Sequence, residues 1–334
     1  MEFHGAESIA NLVTIVITTS ACPVHPSTDL LDELAASIRK FAVQLVYCRK
    51  IVVCDGYLVR DKKSKFRSGR ITNESAGAYE EYKTRLKQRF AEPLYVQERY
   101  EVHELAEHNG FGFAVKASLP LVRTPLIMVI QHDRSFCRSA SFLQDIVQTM
   151  VHEGEDGRIG YVLLPTTSTQ KYISRSLTKF HMNGISSITE ADIARLAIPV
   201  GTDAIGISHS TGYAPMTAAP CLLPCFRWFD STHVAFSQFY RDFVFDADMN
   251  LVKKGGFIED KLGQVQQNDF LHGRGLEDGV AFWRMYLYQD GLGRAVWHMD
   301  GKRHLSDSAL DAKYPCRRVK ISDGDDLVAA NNNE

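Results

Sequence analysis

The chain has 334 residues, 45% hydrophobic and 23% charged, which excludes a disordered, collagen-like or coiled-coil protein and leaves length enough for a sizeable core. Lys and Arg number 38 against 40 Asp and Glu, a net charge of −2, so the basic excess of a general nucleic-acid binder is missing and no nucleic-acid partner is expected. The early apolar run at 12–17 is about a third of the roughly 20 residues a membrane span needs, and without a basic segment before it reads as neither span nor signal peptide. Seven scattered cysteines lack a second pair at zinc-ligand spacing, which points to reduced thiols in a cytoplasmic protein.

In chain order, short apolar runs alternate with helical patterns, the mark of βαβ units and a mainly parallel sheet flanked by helices. Residues 13–18 predict a first strand, followed by a polar loop at 19–26. A helix then opens at Ser27 or Thr28, with Asp29, Asp32 and Glu33 in its first turn and Leu30, Leu34, Ile38 and Phe41 at helical spacing. Residues 51–54 predict a second strand ending at Asp55-Gly56, 74–90 a helix, and 94–97 a short strand. A glycine-bearing helix start at 109–116 precedes a strand at 126–130, stopped by Gln131-His132-Asp133. A helix at 141–152 and a strand at 159–164 follow, then looser sequence over 165–235 that reads as long loops. One domain over 1–320 with a flexible tail at 321–334 is the simplest organisation.

Ligands of open α/β sheets bind beyond the carboxyl ends of the strands, and Ser20, Asp55 and Asp133 all fall just past such ends. Thr18-Thr19-Ser20 suits a nucleotide cradle or a plain polar loop, and Asp55 a nucleotide contact or a turn. Asp133 suits a hard divalent cation that bridges diphosphate oxygens, or an exposed turn. Near the C-terminus stand Gly255-Gly256-Phe257-Ile258-Glu259-Asp260, then Glu277-Asp278, then His298. Acidic pairs supply a general base or cap helices, and a late imidazole can complete a metal site. The basic run at 60–70 is a solvated loop or steers donor phosphates. Trp228-Phe229-Asp230 and the aromatics of 282–288 are core or an acceptor platform.

Together these pieces resemble the family-2-like glycosyltransferases of the GT-A fold. The order carries the likeness: opening strand and polar loop, Ile51-Val52-Val53-Cys54-Asp55-Gly56, then Asn109-Gly110-Phe111-Gly112 with Lys116. A strand ending in Asp133 at the family's D-x-D position, a Glu-Asp pair and a late His complete it, over residues 12–301. Residues 255–264 with His298-Met299-Asp300-Gly301 also look like glycosyltransferases of large algal viruses. The resemblance implies a nucleotide-sugar-binding half at 10–135 and a loop-rich acceptor half at 136–320. By it, Thr18, Thr19, Ser20 and Asp55, with Lys116, Gln131 and His132, would hold the donor. Asp133 would hold metal and diphosphate, and His298 would be a late metal or phosphate ligand. The implied cofactors are Mn2+ or Mg2+ and a nucleotide sugar, UDP-linked by family preference; the implied partner is a glycan acceptor.

Two departures matter. Gln131 stands at the first position of the metal motif, so that motif offers one carboxylate rather than two. Two Glu-Asp pairs compete for the base: Glu259-Asp260, favoured through Asp260, and Glu277-Asp278, which would supply Asp278. A carboxylate base suits inversion at the anomeric carbon. The rivals are a sugar-phosphate nucleotidyltransferase, whose usual Gly-rich, Arg-containing loop is replaced here by Thr18-Thr19-Ser20-Ala21-Cys22-Pro23, and a degenerate glycan- or nucleotide-binding member of the fold. A serine hydrolase lacks its G-x-S-x-G elbow.

Overall fold

The computed structural model describes residues 8–60, 63–154, 157–183, 185, 188–201 and 219–299. The expected tail at 321–334 lies outside the described residues, as do residues 202–218 of the expected loop region. The strands are β1 (Val13–Thr19), β2 (Lys50–Cys54), β3 (Leu58–Val59), β4 (Arg70–Ile71), β5 (Tyr100–Glu104), β6 (Leu126–Gln131) and β7 (Arg134–Phe136). They continue with β8 (Tyr161–Leu163), β9 (Ile198–Pro199), β10 (Cys221–Pro224), β11 (His233–Phe236), β12 (Met285–Gln289) and β13 (Val296–His298). The helices are α1 (Ile9–Leu12), α2 (Asp29–Phe41), α3 (Asn73–Phe90), α4 (Pro93–Gln97), α5 (Gly110–Ser118) and α6 (Phe142–Gly154). After them come α7 (Tyr172–Met182), α8 (Glu190–Arg195), α9 (Ser237–Phe239), α10 (Ile258–His272) and α11 (Leu276–Trp283).

Nine strands form one sheet in the order β5-β2-β1-β6-β11-β8-β12-β10-β9. The strands β5, β2, β1 and β6 are mutually parallel, and β12 is parallel to β8. β11 runs against both β6 and β8, and β10 against both β12 and β9. All strands but β10 and β11 therefore point one way, the mixed but mostly parallel α/β sheet that the sequence predicts. Every residue of β1 and β2 is buried, which is why both read as mainly apolar, β-branched runs rather than alternating ones. Leu34 and Ile38 of α2 and Val115 of α5 are buried in the same core, with α5 laid along β1 and β2.

One predicted element is overturned. Residues 94–97 form α4 rather than a strand, and the strand beside β2 is β5 at Tyr100–Glu104. Tyr95 is buried between exposed Leu94 and Val96, an alternation that mimics a strand. Pro93 at the helix's first turn decides the matter, because its fixed φ suits that position and its missing N–H is not needed there. The segment 165–235 is also more ordered than expected, since it holds α7, α8 and three strands. Among the described residues no helix is long and apolar enough to cross a membrane.

Two glycine-bearing turns pack together at the carboxyl edge of the sheet. Gly110 opens α5 at φ +72°, and a Cβ there would stand 2.6 Å from the Gly255 carbonyl carbon. Gly255 N–H donates to Asn109 O at 2.6 Å and Gly112 N–H to Gly256 O at 3.3 Å. The Gly-Gly-Phe turn thus rests directly on the start of α5. Gly110→Ala is expected to cost about 2 kcal/mol or more in denaturant unfolding, because it adds both backbone strain and a backbone clash. A midpoint equal to that of the parent protein would contradict this packing.

Candidate functional site

At the carboxyl edge, β1 binds both of its neighbours through its last carbonyls. Thr18 O accepts from His132 N–H at 3.0 Å, and Thr19 O accepts from Asp55 N–H at 2.8 Å. Thr19 Oγ1 lies 3.3 Å from the Tyr82 hydroxyl, and Ser20 follows, half-buried. Beyond it the His25 ring stacks on Tyr82 and Tyr79 at 4.0 and 5.0 Å and hydrogen-bonds Cys22 through both ring nitrogens. Burial pushes the Cys22 thiol up to about 12 and His25 down to about 3. Both are therefore uncharged near neutrality.

Asp55 is 3% exposed, and its carboxylate is filled by its own chain. Oδ1 accepts from Gly56 N–H (3.0 Å) and Asn109 N–H (2.8 Å). Oδ2 accepts from Gly110 N–H (2.9 Å), with His108 Nδ1 also 2.9 Å away. A carboxylate offers about four acceptor positions, so each here already faces a nitrogen. Asp55 ties the end of β2 to the start of α5.

Asp133 follows β6 and His298 ends β13. The strands β7 and β13 pair antiparallel with His298 opposite Arg134, which sets His298 Nε2 3.0 Å from Asp133 Oδ2. Met299 N–H holds the Asp133 carbonyl at 2.8 Å. The other carboxylate oxygen, Oδ1, is buried and has no hydrogen bond among the described residues, and the same holds for His132 Nε2. Burial opposes charge on Asp133, yet the His298 hydrogen bond and the His132, His298 and Arg134 charges outweigh it and hold the carboxyl down at about 2. Among the described residues, one oxygen of this ionised carboxylate and one nitrogen of the adjoining His132 are thus left without a hydrogen bond at the end of β6. Burial loosens the proton on Arg134, while the Asp133 and Glu259 carboxylates on either side counter that.

Glu259 and Asp260 begin α10 and face different ways. Glu259 Oε2 accepts from Asp230 N–H at 3.2 Å, and Glu259 N–H donates to Asp230 Oδ2 at 3.1 Å. Asp230 Oδ1 accepts from the Trp228 indole N–H at 2.8 Å, and the Asp230 carbonyl accepts from the Gln131 side-chain amide. Gln131 is therefore turned towards Asp230. Asp260 has a half-exposed side chain; Oδ2 accepts from Phe257 N–H at 3.3 Å and lies 3.5 Å from Arg67.

The structure thus brings Thr18, Thr19, Ser20, Asp55, Gln131, His132, Asp133, His298, Glu259 and Asp260 to one edge of the sheet. It does not bring Lys116 or Asp278 there. Lys116 lies in the last turn of α5, exposed over the Phe113 and Phe245 rings at 5.1 and 5.3 Å. Asp278 is exposed in the first turn of α11, beside Glu277, which pairs with Arg195. Beyond Asp260, α10 runs on to His272 and carries the chain about 18 Å away before the second Glu-Asp pair.

Asp230 is the residue that sequence reasoning missed. In Trp228-Phe229-Asp230 it reads as a polar end to an aromatic core segment, and its partner Glu259 is 29 positions away. The only sequence signal was an acid directly after two aromatics. It is 5% exposed. Burial pushes it up to about 8, against the Glu259 N–H hydrogen bond and with the Glu259 and Asp260 charges adding to the rise.

No family model and no curated protein matches this sequence. Among solved structures it is similar to the mannosyltransferase PcManGT from Pyrobaculum calidifontis, in complex with GDP-Man and Mn2+, at 13% identity over 50% of this chain and 39% of that one, TM-score 0.32. It is similar to S. aureus TarS 1–349 in complex with UDP-GlcNAc at 12% identity over 46% of this chain and 34% of that one, TM-score 0.29. It is also similar to the "Putative Glucose-1-Phosphate Thymidylyltransferase" of Bacillus anthracis at 10% identity over 93% of this chain and 97% of that one, TM-score 0.42. The match thus spans about two fifths of the mannosyltransferase and a third of the TarS fragment.

The raised Asp230 has a consequence for stability. A carboxyl whose folded pKa exceeds its unfolded value of about 4 gives stability that is full below pH ~4 and is lost as pH rises to about 8. Asp230→Asn does not ionise, so its stability relative to the parent protein should improve across that window, by at most ~1.4 kcal/mol per pH unit. Urea midpoints near pH 4, 6 and 8 measure this; a constant gap between the two proteins would contradict the burial argument.

Proposed function

We propose that this protein is a metal-dependent glycosyltransferase of the GT-A type, moving a sugar from a nucleoside-diphosphate sugar, UDP-linked by preference, to a glycan hydroxyl. The observation that carries the reading is the Asp133–His298 pair at the end of β6, with Asp133 Oδ1 buried and, among the described residues, without a hydrogen bond. Asp133 and His298, joined by a 3.0 Å hydrogen bond, would supply two ligands to Mn2+ or Mg2+; among the described residues no group of three or more His, Cys, Asp and Glu is placed to hold a metal ion. Such a cation, when bound, offsets the negative charge that grows on the departing diphosphate. A site with one carboxylate and one imidazole leaves further positions to diphosphate oxygens and water, the usual arrangement for Mg2+ with phosphate substrates.

The remaining roles follow from placement. Ser20 follows β1 on the donor side, while Thr18 and Thr19 are buried with their carbonyls on the His132 and Asp55 N–H groups, and Asp55 orders the start of α5 rather than offering free lone pairs. His132 Nε2, buried beside Asp133, is placed to meet a phosphate oxygen. Asp260 keeps one carboxylate oxygen on Phe257 N–H and the other open to solvent, so it is the acid that an acceptor can reach. It takes the proton of the acceptor hydroxyl as that oxygen bonds to the anomeric carbon. The bond from this carbon to the diphosphate oxygen breaks with it, and attack from the opposite face inverts the centre. Glu259 is tied to Asp230 and sets the helix start that presents Asp260.

A second reading, a nucleotide- or glycan-binding protein without turnover, is favoured by Gln131, which replaces a metal-motif acid and bonds Asp230 instead. Calorimetry separates the two. UDP and GDP are titrated with and without Mn2+; one nucleotide should bind about tenfold or more tightly with the metal, and Asp133→Asn should abolish that gain. Metal-enhanced binding without sugar transfer would favour the second reading. A folded protein that binds neither nucleotide under any metal condition overturns the proposal.

A further inference from the structure

The basic run singled out in the sequence finds its place on the acceptor side of the site. Residues 60–70 hold six cations, Arg60, Lys62, Lys63, Lys65, Arg67 and Arg70, against one acid, Asp61, a local charge of +5 in a chain whose net charge is −2. Of the described cations, Arg60, Lys63, Lys65, Arg67 and Arg70 are all exposed. Among the described residues one carboxylate stands within ion-pair distance of these five, that of Asp260, 3.5 Å from Arg67.

The described parts of the loop, residues 58–60 and 63–71, are anchored by backbone and side-chain bonds. Leu58 N–H donates to Gly69 O at 2.7 Å, Arg60 N–H to Ile71 O at 2.7 Å and Lys65 N–H to Arg70 O at 2.6 Å. Ser64 Oγ accepts from Thr72 N–H at 2.9 Å and lies 2.9 Å from Ser75 Oγ at the start of α3. Gly69, at φ +63°, packs so closely on the His108 ring that a Cβ would overlap it. His108 in turn touches Asp55. The Arg67 guanidinium lies 5.3 Å over the Phe257 ring, which stacks on Phe111 at 5.8 Å. Phe257 directly precedes α10, so this assembly surrounds Asp260 rather than Asp133.

We propose that this basic loop recognises an anionic group, a carboxylate or a phosphate, on the acceptor glycan, with Arg67 as its principal contact; this rests on reading Asp260 as the acid that faces the acceptor. A guanidinium on an aromatic face is oriented in advance, and its planar fork matches carboxylate and phosphate alike. Arg67 is 78% exposed and its ion pair is long, and an exposed pair of that kind contributes little. The acceptor's anion therefore replaces Asp260 on Arg67 at small cost and leaves the Asp260 carboxylate to the acceptor hydroxyl. The other cations of the loop add a local field that draws anions to this face and weakens with salt.

The test is a calorimetric comparison of three probes: tetragalacturonate, a phosphorylated maltotetraose and plain maltotetraose. At low salt at least one anionic probe should bind about tenfold more tightly than the neutral one, and the anionic probe that does so identifies the group. Arg67→Gln should reduce that preference, and the triple variant Lys65→Gln/Arg67→Gln/Arg70→Gln should remove it, with Mn2+-nucleotide binding unchanged. These side chains are exposed, so both variants are expected to fold. Equal binding of all probes, binding of none, a preference that survives in the triple variant, or loss of nucleotide binding in that variant would each overturn the proposal. An anionic preference in a protein that binds no nucleotide would uphold the loop's role while the transferase reading falls.

Discussion

The carboxylate of Asp55 is the interaction on which the rest of the site depends. A buried carboxylate needs donors, and Asp55 finds them in the first free N–H groups of α5 and in its own turn. Those N–H groups are the orphans that every helix start leaves, so one side chain satisfies two demands at once. Because α5 is thereby fixed against β2, Gly110 can present a bare backbone surface on which the Gly255-Gly256 turn sits. That turn fixes where α10 begins, and α10 carries Glu259 and Asp260. The position of Asp260, the proposed base, is thus set by a residue at the end of β2, on the far side of two loop contacts.

The two buried acids that flank β6 are driven in opposite directions by their neighbours. Asp133 lies among His132, His298 and Arg134, and this positive surrounding keeps it ionised in spite of burial. Asp230 lies beside Glu259 and Asp260 with two N–H donors, and burial there prevails. Burial is common to both, so the sign of the nearby charge decides between them. The result is a fixed negative charge on one side of the β6 end and a carboxyl that favours its proton on the other.

Much of the architecture is legible in the chain because interior parallel strands are buried on both faces. Residues 51–54 and 126–130 carry unbroken apolar runs and 13–18 a run rich in β-branched residues, and each becomes a strand within a residue of the expected bounds. Residues 94–97 mislead because three side chains around one buried Tyr95 cannot show a period; the informative residue is Pro93. The site is legible only in part. Asp55 and Asp133 are visible because strand ends place them, whereas the two Glu-Asp pairs have the same sequence form and are separated only by the length of α10. Lys116 shares a motif with Gly110 but lies six positions further along a helix, at its other end. Asp230 is invisible because its role arises from a contact that no local pattern encodes.

The ribbon of β7 and β13 gives the Asp133–His298 pair an order of assembly. Asp133 and His298 lie 165 positions apart, while β1, β2, β5 and β6 are complete by residue 131. During synthesis the parallel half of the sheet can form and bury its strands well before His298 leaves the ribosome. The closure entropy of the long intervening loop grows only slowly with its length, so the late strand docks at modest cost once it arrives. A nascent or shortened chain therefore exposes Asp133 without its imidazole partner. Pairing of the two becomes a local report that synthesis has passed the last strand of the described fold.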